Sequence, residues 1–196
     1  MLNFTCSQDF RFLIPENIWL ESEHFLSAKQ IISELANETD DNWQAYLNAL
    51  ALVALEVWLE DRLGNDVDLP MHNKIIYRNT SAIKTGGILA TDEFKFCAIA
   101  IENLLYKTIQ IPQELIENPE LIAHFYVILE VLKEGEEVMI RGFITYENLM
   151  ELKNKTKLLT VERCYQLPLS VFDIEPNHML LLKTILNYEN HPANDN

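Results

Sequence analysis

A chain of 196 residues with 48% hydrophobic content is long enough to bury one sizeable core, and its 30 acidic against 15 basic residues leave a formal charge of −15. That balance argues against nucleic acid, whose phosphates need Lys and Arg, and against docking on an anionic membrane. It leaves a soluble protein that avoids self-association, or one that receives a basic partner.

Phe10-Arg11-Phe12-Leu13-Ile14 reads as a short strand stopped by Pro15. Ser22 opens a helix in which Phe25, Ala28, Ile31, Ile32 and Leu35 recur at helical spacing, with Asn37 at its end. The acidic link Glu38-Thr39-Asp40-Asp41 complements the positive end of the next helix. That second helix, Asp41–Leu63, organises the chain. Asp41 or Asn42 caps its start and Gly64 ends it. Trp43, Tyr46, Leu47, Leu50, Ala51, Val53, Ala54, Val57 and Trp58 share one wide face, and Leu52, Leu55 and Leu59 extend it. A strip holding Ala45, Ala49, Glu56 and Glu60 is left for water. The two helices should pack as an antiparallel pair.

After Gly64 the pattern weakens. Residues 65–70 read as a loop, 74–81 as a hint of strand, and Gly86-Gly87 as a turn. From Glu93 the period becomes that of strands: Phe94–Ile101, then Thr108–Ile111 before Pro112, then one helical turn over Gln113–Asn118. The clearest hairpin joins His124–Leu132 to Glu137–Thr145 through Lys133-Glu134-Gly135-Glu136. Phe125, Val127, Leu129 and Val131 take one face of its first strand, and Val138, Ile140 and Ile144 one face of its second. Tyr146–Lys155 returns to helix, Cys164–Leu167 is a brief strand before Pro168, and Met179–Leu186 docks as a short element. The expectation is a single α+β domain over 1–196. An antiparallel helical pair (about 22–63) packs on a small antiparallel sheet or barrel-like meander (about 74–186), with a polar tail at 189–196.

Cys6, Cys97 and Cys164 are odd in number and far apart, as in a reducing compartment. Residues 1–11 lack a secretory h-region, and the apolar run 46–59 is too short and too interrupted to span a bilayer. The expected location is the cytoplasm.

No chemical motif stands out. Glycine-rich phosphate cradles, a nucleophile elbow, paired His or Cys ligands and a complete calcium loop are all missing, so neither catalytic residue, cofactor nor metal is expected. Cys97 reads as a buried inert thiol, and His124 as a structural imidazole. Arg141 either projects beside Glu130 or anchors an acidic ligand group. Asn48 falls within the apolar arc of the long helix. It either bonds a loop or strand backbone and fixes the packing, or lines a binding groove.

Trp43–Ala51, Glu93–Cys97, Ala123–Val127, Val138–Phe143, Cys164–Leu169 and Glu175–His178 together resemble a cyanobacterial domain of unknown function, the family numbered 1822. The resemblance runs from about Phe12 to Leu182. It brings no activity, cofactor or catalytic residue. It implies genomic neighbours encoding alternative sigma factors and sensory proteins, and so a regulatory role.

Two functions fit. One is a non-catalytic acidic protein of bacterial signalling or transcription control, with a basic protein such as a sigma factor as partner. Glu56, Glu60 and Asp61, on the solvent strip of the long helix, are its candidate partner-binding residues. The alternative is a small-molecule binder or enzyme with a pocket between the helical pair and the sheet.

Overall fold

In the computed structural model the long helix α2 (Asn42–Gly64) is buried without a break from Leu47 to Leu55. The structure describes residues 16–33, 42–64, 77–80, 82–91, 94–102, 108–132, 136–155, 160–161 and 163–175. The readings at 10–14, 34–41, 65–70, 179–186 and 189–196 lie outside them. Helix α1 (Ser22–Ser33) packs along α2, and the sheet covers α2 from the other side. Enclosure by two layers corrects the helical wheel. Ala45 and Ala49, assigned to the solvent strip, are fully buried, whereas Trp43, assigned to the core, is 51% exposed. Trp43 sits in the first turn of α2, where its Nε1 donates to Glu102 Oε1 at 3.3 Å and its ring tilts against Tyr46.

Among the described residues the main sheet has six strands: β1 (Glu16–Trp19), β2 (Tyr77–Asn79), β3 (Gly87–Ala90), β4 (Lys95–Ile101), β6 (Phe125–Leu132) and β7 (Glu137–Thr145). They stand in the order β1-β7-β6-β4-β3-β2. The α+β class holds, but the sheet is mixed. β4 and β6 run parallel because the chain between them crosses through β5 (Thr108–Pro112) and α3 (Gln113–Glu117). Gly86-Gly87 is not the turn itself. Residues 82–85 form the turn, and Gly87 begins β3 so close to α2 that an added Cβ would lie 2.8 Å from Leu52 Cδ1.

The hairpin β6–β7 contains a bulge. Ile128 faces Gly142 and Leu129 faces Ile140, so Arg141 is the extra residue. The bulge reverses the facing of the residues beyond it. Phe143 joins Val138 and Ile140 in the core beneath the helices, while Ile144, expected with them, lies on the opposite face. Gly142 has φ +152°, and a Cβ there would come within 2.8 Å of Asp173 O. Asp173 reaches that point because its backbone exchanges two 2.8 Å hydrogen bonds with Phe143.

The central strands β3, β4 and β6 are buried on both faces of the sheet. Phe125, Val127, Leu129 and Val131 pack under α1 and α2, as the alternation predicts. Tyr126, Ile128, Cys97 and Ile99 form a second apolar cluster on the far side, roofed by α3, α4 (Tyr146–Lys155) and a three-stranded sheet. That sheet adds β8 (Thr160–Val161) and β9 (Cys164–Pro168) to β5, in the order β5-β9-β8. The Cys97 thiol is fully buried, and burial pushes its pKa up, as an inert core thiol requires. Tyr165 and Lys153 both donate to Glu117 Oε1, at 2.5 and 2.9 Å, tying β9 and α4 to α3.

Candidate functional site

Among the described residues, a surface unlike an ordinary solvated face lies where β1 passes into α1. β1 is, among the described residues, the outermost strand of its sheet and pairs with β7 alone. Its alternation sends Ile18 into the core and leaves Trp19 67% exposed. Leu20 is buried, and its N–H donates to Glu136 O at 3.0 Å. The chain then turns into α1 through a reciprocal cap. His24 N–H donates to Glu21 O at 3.0 Å, and Glu21 N–H donates back to His24 Nδ1 at 2.8 Å. The imidazole occupies the place that Glu or Gln takes in a capping box.

Helix α1 commits Ala28 and Ile31 to the core, with Phe25 and Ile32 half-buried. Leu26, one position round from Phe25, points away from that stripe and is 66% exposed. Trp19, Leu20, Phe25 and Leu26 form the apolar part of an open groove of about 710 Å³, completed by Glu21, Ser22, Glu23 and Glu136. Among the described residues three carboxylates line it, and no Lys or Arg does. Trp19 and Leu26 are two of the four large apolar side chains that stand exposed among the described residues. Single exposed apolar residues are commonplace; two in one concavity are less so. His24 Nδ1 is spent on the cap, and the groove itself offers apolar contact and negative charge.

The residues singled out in the sequence sit elsewhere. Asn48 is wholly buried; Nδ2 donates to Ile83 O at 2.8 Å, and Oδ1 accepts from Ala100 N–H at 3.0 Å. It is therefore a packing residue that bonds a loop and a strand, and it lines no groove. Arg141 is half-buried and pairs with Glu130, whose side chain is only 5% exposed. Its guanidinium is engaged by a carboxylate of its own chain. Glu60 and Asp61 lie at the surface of α2 and Glu56 is half-buried; Glu56 and Asp61 each make polar interactions. None of the three lines the groove.

His124 Nδ1 accepts from Lys95 N–H at 2.9 Å, and its backbone exchanges bonds with Lys95 and Tyr146, so it joins the starts of β4, β6 and α4. Side chains of the larger apolar cluster pack between the helical pair and the sheet, where the alternative reading places its pocket. Trp19 and Leu26 escaped the sequence reading, although each carried a signal. Trp19 stands between the inward-facing Ile18 and Leu20, and Leu26 falls off the stripe of its own helix.

Among the described residues no helix is long and apolar enough to cross a membrane. A family model described as "Protein of unknown function (DUF1822)" matches residues 18–195. No curated protein matches the chain, and no solved structure does. The chain belongs to the DUF1822 family.

Proposed function

We propose that this protein is a non-catalytic, cytoplasmic interaction module that binds a basic protein surface in bacterial signalling or transcription control, a sigma factor being one such surface. The observation that carries this reading is the groove between β1 and α1. It combines exposed Trp19 and Leu26 with Glu21, Glu23 and Glu136, on a chain of net charge −15. An exposed Trp in a concavity is the kind of group that supplies most of the energy at protein interfaces. Carboxylates around it steer a cationic partner and reject anionic ones. The acids Glu56, Glu60 and Asp61 of α2 contribute to the long-range field rather than to the contact.

Capture from the native cell at low salt tests this. Wild-type protein should retain a basic protein that a Trp19→Ser/Leu26→Ser variant loses, with both baits giving the same circular dichroism spectrum. Equal retention by the two baits, or recovery of acidic proteins only, would remove the groove from the function.

A further inference from the structure

Three features of the groove bear on what enters it. First, its volume of about 710 Å³ falls in the ~300–1,000 Å³ range of clefts that hold drug-sized ligands. That gives room for a few side chains of a segment. Second, its lining pairs four apolar side chains with three carboxylates and Ser22. Third, the groove is built in advance: the Glu21–His24 cap fixes the start of α1, and the Leu20–Glu136 bond fixes β1 beside the approach to β7. A preformed site loses little freedom on binding.

Helix energetics explain part of the acid. Glu23 lies in the first turn of α1, where a negative charge complements the helix dipole. That role does not extend to Glu136, which belongs to the approach to β7, nor does it explain why Trp19 and Leu26 are left in water beside it. Resting on the reading that the protein binds a basic partner, we infer that the groove takes one short cationic segment of it, seated by a bulky apolar residue between Trp19 and Leu26 and held by Lys or Arg against Glu21, Glu23 and Glu136.

The chemistry selects this occupant over the others. Arg can stack on the Trp19 indole and pair with a carboxylate at once, and both contacts gain strength as the groove is desolvated. A second copy of this chain would set Glu21, Glu23 and Glu136 against their own images across a two-fold axis. An anionic lipid surface or a phosphate would meet the same carboxylates with the wrong sign.

Selection of twelve-residue peptides from a display library against the full chain tests the inference, followed by calorimetry on the enriched peptides. The expected peptides carry two or more Lys or Arg flanking Leu, Ile, Phe or Trp. Their affinity should fall at least tenfold in Trp19→Ser/Leu26→Ser and about tenfold in Glu21→Gln/Glu23→Gln/Glu136→Gln. Glu56→Lys/Glu60→Lys should retain affinity within about threefold. The Gln variant keeps side-chain shape at exposed positions, so it remains informative should the Ser variant misfold. Enrichment of neutral or acidic peptides, or binding that ignores both groove variants, overturns the inference. So does a wild-type dimer in sedimentation that the Ser variant loses, which gives the groove to self-association. Failure of every cationic peptide, with a natural partner still lost by the groove variants, rejects the short-segment mode and leaves partner binding standing.

Discussion

Asn48 of the long helix and Ala100 of β4 are joined where β3 gives out. β3 begins at Gly87, opposite Ala98, so the Ala100 peptide lies beyond its reach. Asn48 Oδ1 accepts the Ala100 N–H at 3.0 Å, and Gln44 Nε2, one turn earlier, donates to Ala100 O at 3.3 Å. Two amide side chains thus stand in for the missing strand, and Asn48 Nδ2 ties the same helix to Ile83 O. A fully buried amide on an apolar helix is tolerated because both of its ends are used.

Asn48→Ala should therefore cost about 2–6 kcal/mol, since it strands a buried N–H and a buried C=O at about 1–3 kcal/mol each. Asn48→Asp should cost more, because it buries a charge and removes the donor to Ile83. Urea denaturation of the three proteins measures both. A loss below about 1 kcal/mol in Asn48→Ala would show that water replaces the amide and that the helix is not fixed by it.

Gly142 should accept no side chain. Its φ of +152° suits glycine, and a Cβ would meet Asp173 O at 2.8 Å and Phe172 Cβ at 3.0 Å. Gly142→Ala should destabilise by about 1–3 kcal/mol and Gly142→Val by more. Thermal melts in which Gly142→Ala equals wild type would mean that the 172–173 segment yields freely.

His124 should make the fold acid-sensitive near neutrality. Burial, aided by the positive charge of Lys95 and opposed by Glu147, holds its pKa below the ordinary histidine value. Protonation also removes the acceptor for the Lys95 N–H. The unfolded chain thus binds the proton more readily, so stability is fully present above about pH 6.5 and falls as pH drops toward the folded pKa. Glu117, its pKa lowered first by the Tyr165 hydrogen bond and then by Lys153, loses its contribution only below the ordinary carboxylate range. The two windows separate. Unfolding free energy measured from pH 7.5 to 5 should slope down in wild type and flatten in His124→Gln. An unchanged slope in the variant would assign the acid sensitivity to another group.

Periodicity made the central elements legible. The long helix, the β6–β7 hairpin, α4 and the faces of Phe125 to Val131 follow from spacing alone, because each is long and one period dominates it. β3 did not show itself. Gly87-Ile88-Leu89-Ala90 is buried on both faces, so it lacks alternation, and its glycine is there for close approach to Leu52. The reversal at Ile144 was equally hidden, since a bulge at Arg141 is a property of the pairing. The groove was legible only in hindsight. Sequence patterns report which residues a helix buries against its neighbours, whereas Trp19 and Leu26 matter because two elements leave them uncovered together.

The groove claim is tested most directly by the association rate with the captured basic partner, followed against ionic strength from about 50 to 500 mM. Wild type should associate fast at low salt and slow steeply as salt screens the carboxylates. Glu21→Gln/Glu23→Gln/Glu136→Gln should start slower and show a flatter dependence, while Glu56→Lys/Glu60→Lys should keep most of the wild-type slope. Identical rates and slopes for wild type and the groove variant, with the α2 variant flattened instead, would contradict the account and move the contact to the long helix.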